Sequence, residues 1–446
     1  MKTLLPILLA SLTMSSGHAA SSELQARIDA AAPGDTIRLP AGTYAGPIVI
    51  AKALTLIGAG RPEIRGNGTD KTVRIAADDV TLSGFRVTGS GLSLFDDDAA
   101  VYVTGHRATI EDNVIEDSLH GIYLKKVDSC RILHNRIRGK TTLANPTASV
   151  EQGIGRSAEN CDTESLGVNR RGNGIHQWNS ENNLIVGNEI SDTRDGIYFS
   201  FTNHSRVEDN FVHQARYGLH YMYSDDNHFE NNTFSDNAAG AAIMFSKGLI
   251  VRRNRFINNR GLRAYGLIFQ STDRTLLEQN DIQHNAVGLS FNQCNGNKLI
   301  GNRLTNNYIG LRLGSNSDDN QISENIFVNN LHPVELAGEG SGNRWAISGV
   351  GNFWGDAVAF DLDGDGINDL PHRELDLLGV LRRDFPAIAL LSESPGLKLL
   401  RFAHARAALP GVPSIEDRAS LNPNFWRIRA QRAAETFRTE PSGSPP

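Results

Sequence analysis

The sequence predicts an all-β fold, a parallel β-helix with coils of about 22 residues, and three observations support it. An x-Asn-x-apolar motif recurs, mostly in steps of 22 residues, which is typical of stacked repeats. Eight residues after most of these asparagines, a glycine opens a strand-like alternation of apolar and other residues. No helical period interrupts residues 100–330. The motif asparagines are Asn113, Asn135, Asn188, Asn210, Asn232, Asn254, Asn280, Asn302 and Asn325.

The coil length and the asparagine column fit this fold physically. Twenty-two residues hold three short strands and their turns, and coils stack at ~4.8 Å. A side-chain amide carries both a donor and an acceptor, so stacked asparagines can bond to the copies above and below them. Asparagine also tolerates left-handed turn geometry. We therefore interpret the asparagine column as structural.

Both ends of the chain carry recognisable segments. Residues 1–19 have a positive start at Lys2, a short apolar stretch and small residues before Ala20, which predicts a signal peptide and export. Residues 23–32 form an amphipathic helical pattern, and such a helix can cap the open edge of a solenoid. The stretch from Leu24 to Tyr44 resembles the opening of pectate-lyase-like β-helices, which implies a right-handed helix and says little about function.

The chain divides into four predicted parts. After the signal peptide, the parallel β-helix spans 20–345 with an insertion at 138–173 that is expected to wall the neighbouring face or to be a plain loop. An Asp/Gly-rich capping loop covers 346–375. The tail at 376–446 has apolar residues at helical spacing, predicting amphipathic helices that lie on a membrane, on a partner or on the solenoid, with a disordered end.

Composition excludes some functions. With 44 Lys+Arg against 50 Asp+Glu the net charge is -6, which argues against a nucleic-acid partner. The three cysteines, Cys130, Cys161 and Cys294, are too few for a disulfide framework.

The strands that follow the column glycines predict a candidate site. Alternate residues face opposite ways, so the second and fourth positions of each strand point outward. Met222 and Met244 then share one column on adjacent coils, close to His220. Thioether and imidazole together suit Cu(I), so the predicted copper ligands are His220, Met222 and Met244, with His176 as a more distant candidate. The alternative is an apolar surface that docks a partner through Trp178, Tyr198 and Tyr123.

A second metal site is predicted beyond the last coil. Asp361, Asp363, Asp365 and Asp369 match positions of a calcium loop, although His372 stands where such loops carry a bidentate glutamate. The alternative is an Asx-rich turn that caps the solenoid.

The alternative function comes from another class, the enzymes. It is a carbohydrate-active β-helix enzyme, meaning a polysaccharide lyase, hydrolase or epimerase. It would need carboxylates along the outward face, and the outward positions show no pair of acidic columns. The sequence also lacks Ser-His-Asp, phosphate-loop and zinc-helix signatures. We therefore predict no catalytic residues and no enzyme.

Several segments together resemble the NosD family. These are the export signal, the Asn/Gly coils, Gly351-Asn-Phe-Trp-Gly-Asp356 with the Asp361 loop, and the tail motifs Ser394-Pro-Gly and Leu409-Pro-Gly-Val. The resemblance implies a non-enzymatic periplasmic accessory protein that works with the membrane subunits of an ABC transporter. It further implies a part in assembling the copper-sulfide centre of nitrous oxide reductase, with the reductase and a copper chaperone as partners and peripheral membrane contact through the tail.

Overall fold

The fold is known from a computed structural model. It describes residues 22–144, 163–165, 167–260, 264–336, 342–355, 357–375, 381, 385–391, 394–397, 399–400 and 414–429. The predicted signal peptide lies outside the described residues.

Three parallel sheets run the length of the molecule, and twelve coils contribute one strand to each of them, while sheet 2 has a thirteenth strand at its end. Sheet 1 consists of Thr36–Leu39, Thr55–Gly58, Thr81–Ser83, Thr109–Glu111, Arg131–Leu133, Leu184–Val186, Arg206–Glu208, His228–Glu230, Ile250–Arg252, Leu276–Glu278, Lys298–Ile300 and Gln321–Ser323. Sheet 2 consists of Thr43–Ala45, Glu63–Arg65, Arg86–Thr88, Val114–Ile115, Arg136–Arg138, Glu189–Ser191, Phe211–His213, Thr233–Ser235, Arg255–Ile257, Asp281–Gln283, Arg303–Thr305, Ile326–Val328 and Phe353–Trp354.

Sheet 3 carries the candidate site. Its strands are Ile48–Ile50, Val73–Ile75, Ala99–Val103, His120–Lys125, Ile175–Trp178, Asp195–Ser200, Tyr217–Met222, Ala239–Lys247, Tyr265–Asp273, Val287–Asn292, Ile309–Leu313 and His332–Leu336. The predicted parallel β-helix is therefore confirmed.

Short elements complete the fold. The helix Glu23–Ala30 begins at Ser22, whose side chain accepts a hydrogen bond from Gln25 N, and it buries Leu24 and Ile28 against the first coil. The remaining elements are the antiparallel pair Thr142–Ala144 and Thr163–Ser165, the 3-10 helices Val168–Arg170 and Pro386–Leu391, and the antiparallel pair His372–Leu375 and Ser414–Asp417. Among the described helices, none has the length and apolar character that a membrane crossing requires.

The predicted asparagine ladder forms inside the solenoid. Asn232 is fully buried, and its Nδ2 donates to Val207 O at 2.8 Å and to Asn254 Oδ1 at 2.9 Å. Its Oδ1 accepts from the backbone N and the Nδ2 of Asn210, at 3.0 and 2.9 Å. The same pattern links the ladder from Asn113 to Asn352. Each amide therefore satisfies buried backbone groups and fixes the stacking register.

From Asn113 to Asn325, the residue before each ladder asparagine has the left-handed turn geometry. Asp209 has φ 54° and Asn231 has φ 56°, whereas the ladder asparagines themselves do not have positive φ. Two further ladders that the sequence analysis did not predict run from Asn237 to Asn330 and from Asn297 to Asn343. Asparagines thus close more than one corner of each coil.

Asp417 in the tail binds Asn352, the last asparagine of the ladder. Asp417 Oδ2 accepts from Asn352 N at 2.7 Å, from Asn352 Nδ2 at 3.2 Å and from Trp354 Nε1 at 2.9 Å. Burial raises the pKa of Asp417 even though these donors act in the opposite direction. The strand Phe353–Trp354 continues sheet 2 beyond residue 345, and the strand Ser414–Asp417 lies in a tail for which the sequence predicted helices. This part of the tail therefore covers the open end of the solenoid.

Removing one ladder amide should destabilise the protein strongly. In Asn232→Ala, the backbone oxygen of Val207 and the amides of Asn210 lose buried partners, so we expect the free energy of unfolding to fall by about 3 kcal/mol. Urea unfolding monitored by circular dichroism measures this change. The exposed Asn292→Ala control should change it by less than about 0.5 kcal/mol. Equal losses in both variants would contradict a structural ladder.

Candidate functional site

Two columns of side chains cover the outward face of sheet 3. Strand pairing aligns Tyr123, His176, Tyr198, His220 and Ala242 in one column. It aligns Lys125, Trp178, Ser200, Met222 and Met244 in the other. The inward residues between these columns are buried, as the alternation predicted. Met222 and Met244 are therefore register neighbours on adjacent coils, and both are half-buried.

The rings of the first column, together with Tyr102, form a continuous row of contacts, in which only Tyr123 and His176 are stacked face to face. Ring centroids lie 5.4 Å apart between Tyr102 and Tyr123, and 4.1 Å apart between Tyr123 and His176. The distances are 4.4 Å from His176 to Tyr198 and 5.0 Å from Tyr198 to His220. The ring of Tyr198 thus separates the two histidines that the sequence analysis proposed as copper ligands.

A buried ion pair orients His220. Asp195 is fully buried, and its two oxygens accept from Arg216 Nε and the terminal Arg216 nitrogen at 2.9 and 2.7 Å. Asp195 Oδ2 also lies 3.0 Å from His220 Nδ1. These hydrogen bonds from His220 and Arg216 hold the pKa of Asp195 below its usual range despite burial. With the carboxylate ionised, Nδ1 carries a proton, so in the neutral ring Nε2 of His220 holds the free lone pair.

His176 and His120 are oriented differently. Arg194 Nε donates to Asn173 Oδ1 at 3.3 Å, which turns Asn173 Nδ2 toward His176 Nδ1 at 3.1 Å. The backbone N–H of Asn173 donates to His120 Nδ1 at 2.9 Å. Both rings accept at Nδ1, so each neutral ring carries its proton on Nε2. These two histidines therefore present N–H donors, and His220 presents an acceptor.

Burial keeps both donor histidines neutral. Desolvation lowers the pKa of His120 to about 4, and the positive charge of Arg194 acts in the same direction. Desolvation, His120 and Arg194 lower the pKa of His176 well below its usual range. The region thus holds two neutral imidazoles beside a charged Asp195–Arg216 pair.

The residues predicted for partner docking are unequally accessible. Tyr123 is only 5% exposed, and Tyr198 is packed between two histidines. Trp178 is half-buried. The ammonium nitrogens of Lys125 and Lys126 lie 5.5 and 5.3 Å from the centroid of its ring. Docking through these three residues stays a prediction.

The sequence analysis missed the residues that orient the histidines. Asp195, Asn173 and His120 each directly precede a column glycine. On the next coil Tyr217 holds this position, and Arg216 directly precedes Tyr217. One signal in the sequence could have revealed them, because this position holds polar or aromatic residues on four successive coils.

The cysteines offer no ligands within the described residues. Burial raises the pKa of the Cys130 and Cys294 thiols to about 11, so neither is a thiolate at neutral pH. Cys161 and residues 145–162 of the insertion lie outside the described residues. The described end of the insertion meets the site, because Asn173 bonds to His120 and His176.

The predicted calcium residues lie close together. Ligand oxygens of Asp361, Asp363 and Asp365 lie within 4.8 Å of one another. Each of these carboxylates accepts a backbone N–H of the same loop, and Asp369 Oδ2 accepts from Leu362 N at 2.7 Å. His372 instead stacks on Trp354 at 4.6 Å. Calcium binding by this loop stays a prediction.

Known proteins resemble this chain in both sequence and structure. The family model described as periplasmic copper-binding protein (NosD) matches residues 156–359. A probable ABC transporter binding protein NosD from Pseudomonas aeruginosa is 33% identical over 395 residues, covering 85% of this chain and 86% of that protein. The protein of the same name from Stutzerimonas stutzeri is 30% identical, covering 85% of each.

A solved structure shares the fold. A PL6 alginate lyase in complex with a trisaccharide matches with a TM-score of 0.56 and 16% identity, covering 75% of this chain and 82% of that chain. At this identity the likeness shows the β-helix fold alone.

Replacing Asp195 tests the ion pair. In Asp195→Asn, Arg216 loses its buried partner, so we expect the free energy of unfolding to fall by about 3 kcal/mol at neutral pH. Because folding lowers the pKa of Asp195, its contribution is complete above the unfolded pKa of about 3.9 and is lost as the pH falls through the folded pKa.

Urea unfolding of both proteins between pH 7 and pH 3 measures this difference. The exposed Asp209→Asn is the control, since asparagine suits the left-handed conformation of that residue. A difference between wild type and Asp195→Asn that grows as the pH falls would contradict the assignment.

Proposed function

Because the chain belongs to the NosD family, we propose that it is a non-enzymatic periplasmic accessory protein that receives copper on the outward face of sheet 3. In this proposal it works with the membrane subunits of an ABC transporter in assembling the copper-sulfide centre of nitrous oxide reductase. A copper chaperone supplies the metal, and the reductase receives it. The names of the relatives support the transporter association, and the family description supports copper binding.

One observation carries the proposal: an oriented histidine lies beside two methionines. His220 and Met222 project from the same strand, and Met244 is the register neighbour of Met222. Asp195 holds the proton on Nδ1, leaving Nε2 to bind a metal, an arrangement common among metal-binding histidines. Two thioethers and one imidazole form a soft donor set that fits Cu(I). The residues present therefore suit copper as cargo.

His176 has another role in this proposal. Its Nδ1 accepts from Asn173, and its Nε2 carries the proton, so the neutral ring has no free lone pair for a metal. The ring of Tyr198 also separates it from His220. We therefore restrict the proposed ligands to His220, Met222 and Met244, with His176 as a hydrogen-bond donor beside them.

The carbohydrate-enzyme alternative gains one feature from the structure. Asp195 and His220 form an acid-base pair next to Tyr198. However, Asp195 has no exposed surface and is paired with Arg216, so it cannot reach a substrate. Glycoside hydrolysis commonly needs two carboxyl groups that flank the bond. The accessory function therefore remains the better explanation of these side chains.

Titration with Cu(I) against a competing chelator tests the proposed site. Wild type should bind one tight equivalent, and the variant Met222→Leu with Met244→Leu should lose it while keeping the apolar volume of both side chains. Asp195→Asn should weaken binding by about 10–100-fold, because a second-sphere partner orients the ligand. His228→Gln, on sheet 1, is the control and should bind as wild type does. Equal binding by the double leucine variant would refute the site.

Calcium is a separate prediction for the loop that contains Asp361. If the loop binds calcium, a concentration ten times the dissociation constant stabilises the protein by about 1.4 kcal/mol. Thermal unfolding with and without millimolar CaCl₂ should therefore show a higher Tm for wild type. Asp363→Asn should lose the increase, and the exposed Asp29→Asn control should keep it. No shift in wild type would leave the loop as an Asx-rich cap.

A further inference from the structure

The first outward column of sheet 3 changes in character beside the proposed copper ligands. On four successive coils this column carries a tyrosine or a histidine, and the fourth of these residues is His220. On the next coil it carries Ala242, and on the coil after that Ile268. The coil of Met244 therefore adds a methionine to the proposed site but no second ligand from the column of His220.

Ala242 lies among the proposed ligands. It is the register neighbour of His220, and it precedes Met244 by two residues on the same strand, so both side chains project from the same face. Although its Cβ projects outward, Ala242 is 0% exposed, so the side chains around it cover the methyl group. Adjacent coils are ~4.8 Å apart, so a longer side chain at this position would lie within reach of the imidazole of His220.

Two oxygen-bearing side chains beside the soft donors are held by other partners. Asp195 is fully buried, and its oxygens bind the guanidinium of Arg216 and Nδ1 of His220. Gln270 is the register neighbour of the second methionine, and its Oε1 accepts from Asn292 Nδ2 at 2.6 Å. The carboxylate and the amide oxygen are therefore both engaged before any metal arrives.

The ions that compete with Cu(I) need more ligands, or harder ones, than this face offers. Zn(II) is almost always four-coordinate in sites that protein side chains form alone. Cu(II) prefers a tetragonal set of nitrogen and oxygen ligands. Thioethers select Cu(I), which is stable with fewer ligands. Ser200, the register neighbour of Met222, offers only a neutral hydroxyl, so the soft donors have no charged oxygen ligand beside them in their own column.

We propose that Ala242 determines the metal selectivity of this face by withholding a fourth ligand beside His220, so that Cu(I) binds and Zn(II) and Cu(II) are excluded. The inference rests on the proposed copper site and names the residue that sets its specificity. Ala242 acts through its lack of a donor atom. The hydrogen bonds that engage Asp195 and Gln270 act in the same direction, because they keep oxygen ligands away from the metal.

Adding a ligand at this position tests the proposal. In Ala242→His the column gains an imidazole one coil from His220. Loss of a partner that only orients a ligand costs about 10–100-fold in metal affinity, so a new ligand should raise the affinity for Zn(II) by at least about 100-fold. Competition with a chromophoric chelator measures this affinity, and the d–d absorption of bound Co(II) reports four-coordination. Cu(I) should bind at least as tightly as it binds to wild type.

A second variant keeps the test decisive if histidine does not fit. Ala242 is enclosed by its neighbours, and a large side chain overpacks such a position. Ala242→Cys adds a single heavy atom and supplies a thiolate, which is a common zinc ligand. This variant should also gain Zn(II) binding. Thermal unfolding of each variant without metal shows which of them is folded.

Ser290→His is the matched control. Ser290 lies in the same column, two coils beyond Ala242, and it is 7% exposed. Its register neighbours are Ile268 and Arg312, neither of which is a metal ligand. This variant should bind Zn(II) no better than wild type. Ala242→His combined with His220→Gln should lose the gain, because the new imidazole then lacks its partner.

Three results would overturn the selectivity role. Wild type that binds Zn(II) as tightly as Cu(I) would show that the face does not discriminate. Folded Ala242→His and Ala242→Cys variants without a gain in Zn(II) affinity would show that Ala242 withholds nothing. A gain in Ser290→His as large as that in Ala242→His would show that any added histidine has the same effect.

Failure of the copper proposal would look different. If wild type binds no Cu(I) while Ala242→His binds Zn(II), the copper site is refuted and the withheld ligand beside His220 is supported. If wild type binds Cu(I) and neither variant gains Zn(II), the copper site stands and the role of Ala242 is refuted. Absence of both kinds of binding in folded proteins would refute both.

Discussion

The hydrogen-bonded ladder of buried asparagines is the interaction on which the rest of the structure depends. Each amide joins its own coil to the next, as Asn210, Asn232 and Asn254 show. A slip of one residue in a strand would move every side chain to the opposite face. By fixing the stacking register at the corner of each coil, the ladder determines which side chains align on the outward face of sheet 3.

That fixed register lets neighbouring coils differ on the outside while matching on the inside. The inward column keeps apolar residues such as Phe199, Tyr221 and Ile243. The outward column changes from His176 through Tyr198 to His220 within three coils. The coils thus act as a scaffold on which the soft donor set of His220, Met222 and Met244 is placed.

The periodic part of the structure could be predicted from the sequence, since a repeat reveals its own register. The alignment of Met222 with Met244 followed from the glycine column and is confirmed by strand pairing. The role of Asp195 was missed, because the bend before the column glycine decides where that side chain points. A capping loop was predicted at 346–375, but the part of Asp417 in the cap was missed, since Asp417 meets Asn352 across 65 residues without a periodic signal.

The same reasoning explains why three exposed aromatic residues beside the outward column escaped the sequence analysis. Phe201, Tyr223 and Phe245 lie one position after the outward column, and only the structure shows that their backbone turns left-handed there. Aromatic residues at such a position look like core residues in a sequence. Their exposure could therefore be read only from the structure.

X-ray absorption spectroscopy of the protein loaded with one equivalent of Cu(I) tests the central claim most directly. Our account predicts two sulfur neighbours and one nitrogen neighbour, supplied by Met222, Met244 and His220. The sulfur contribution should disappear when both methionines are replaced by leucine. A copper shell made of nitrogen and oxygen alone, or a sulfur contribution that survives the replacement, would contradict the account.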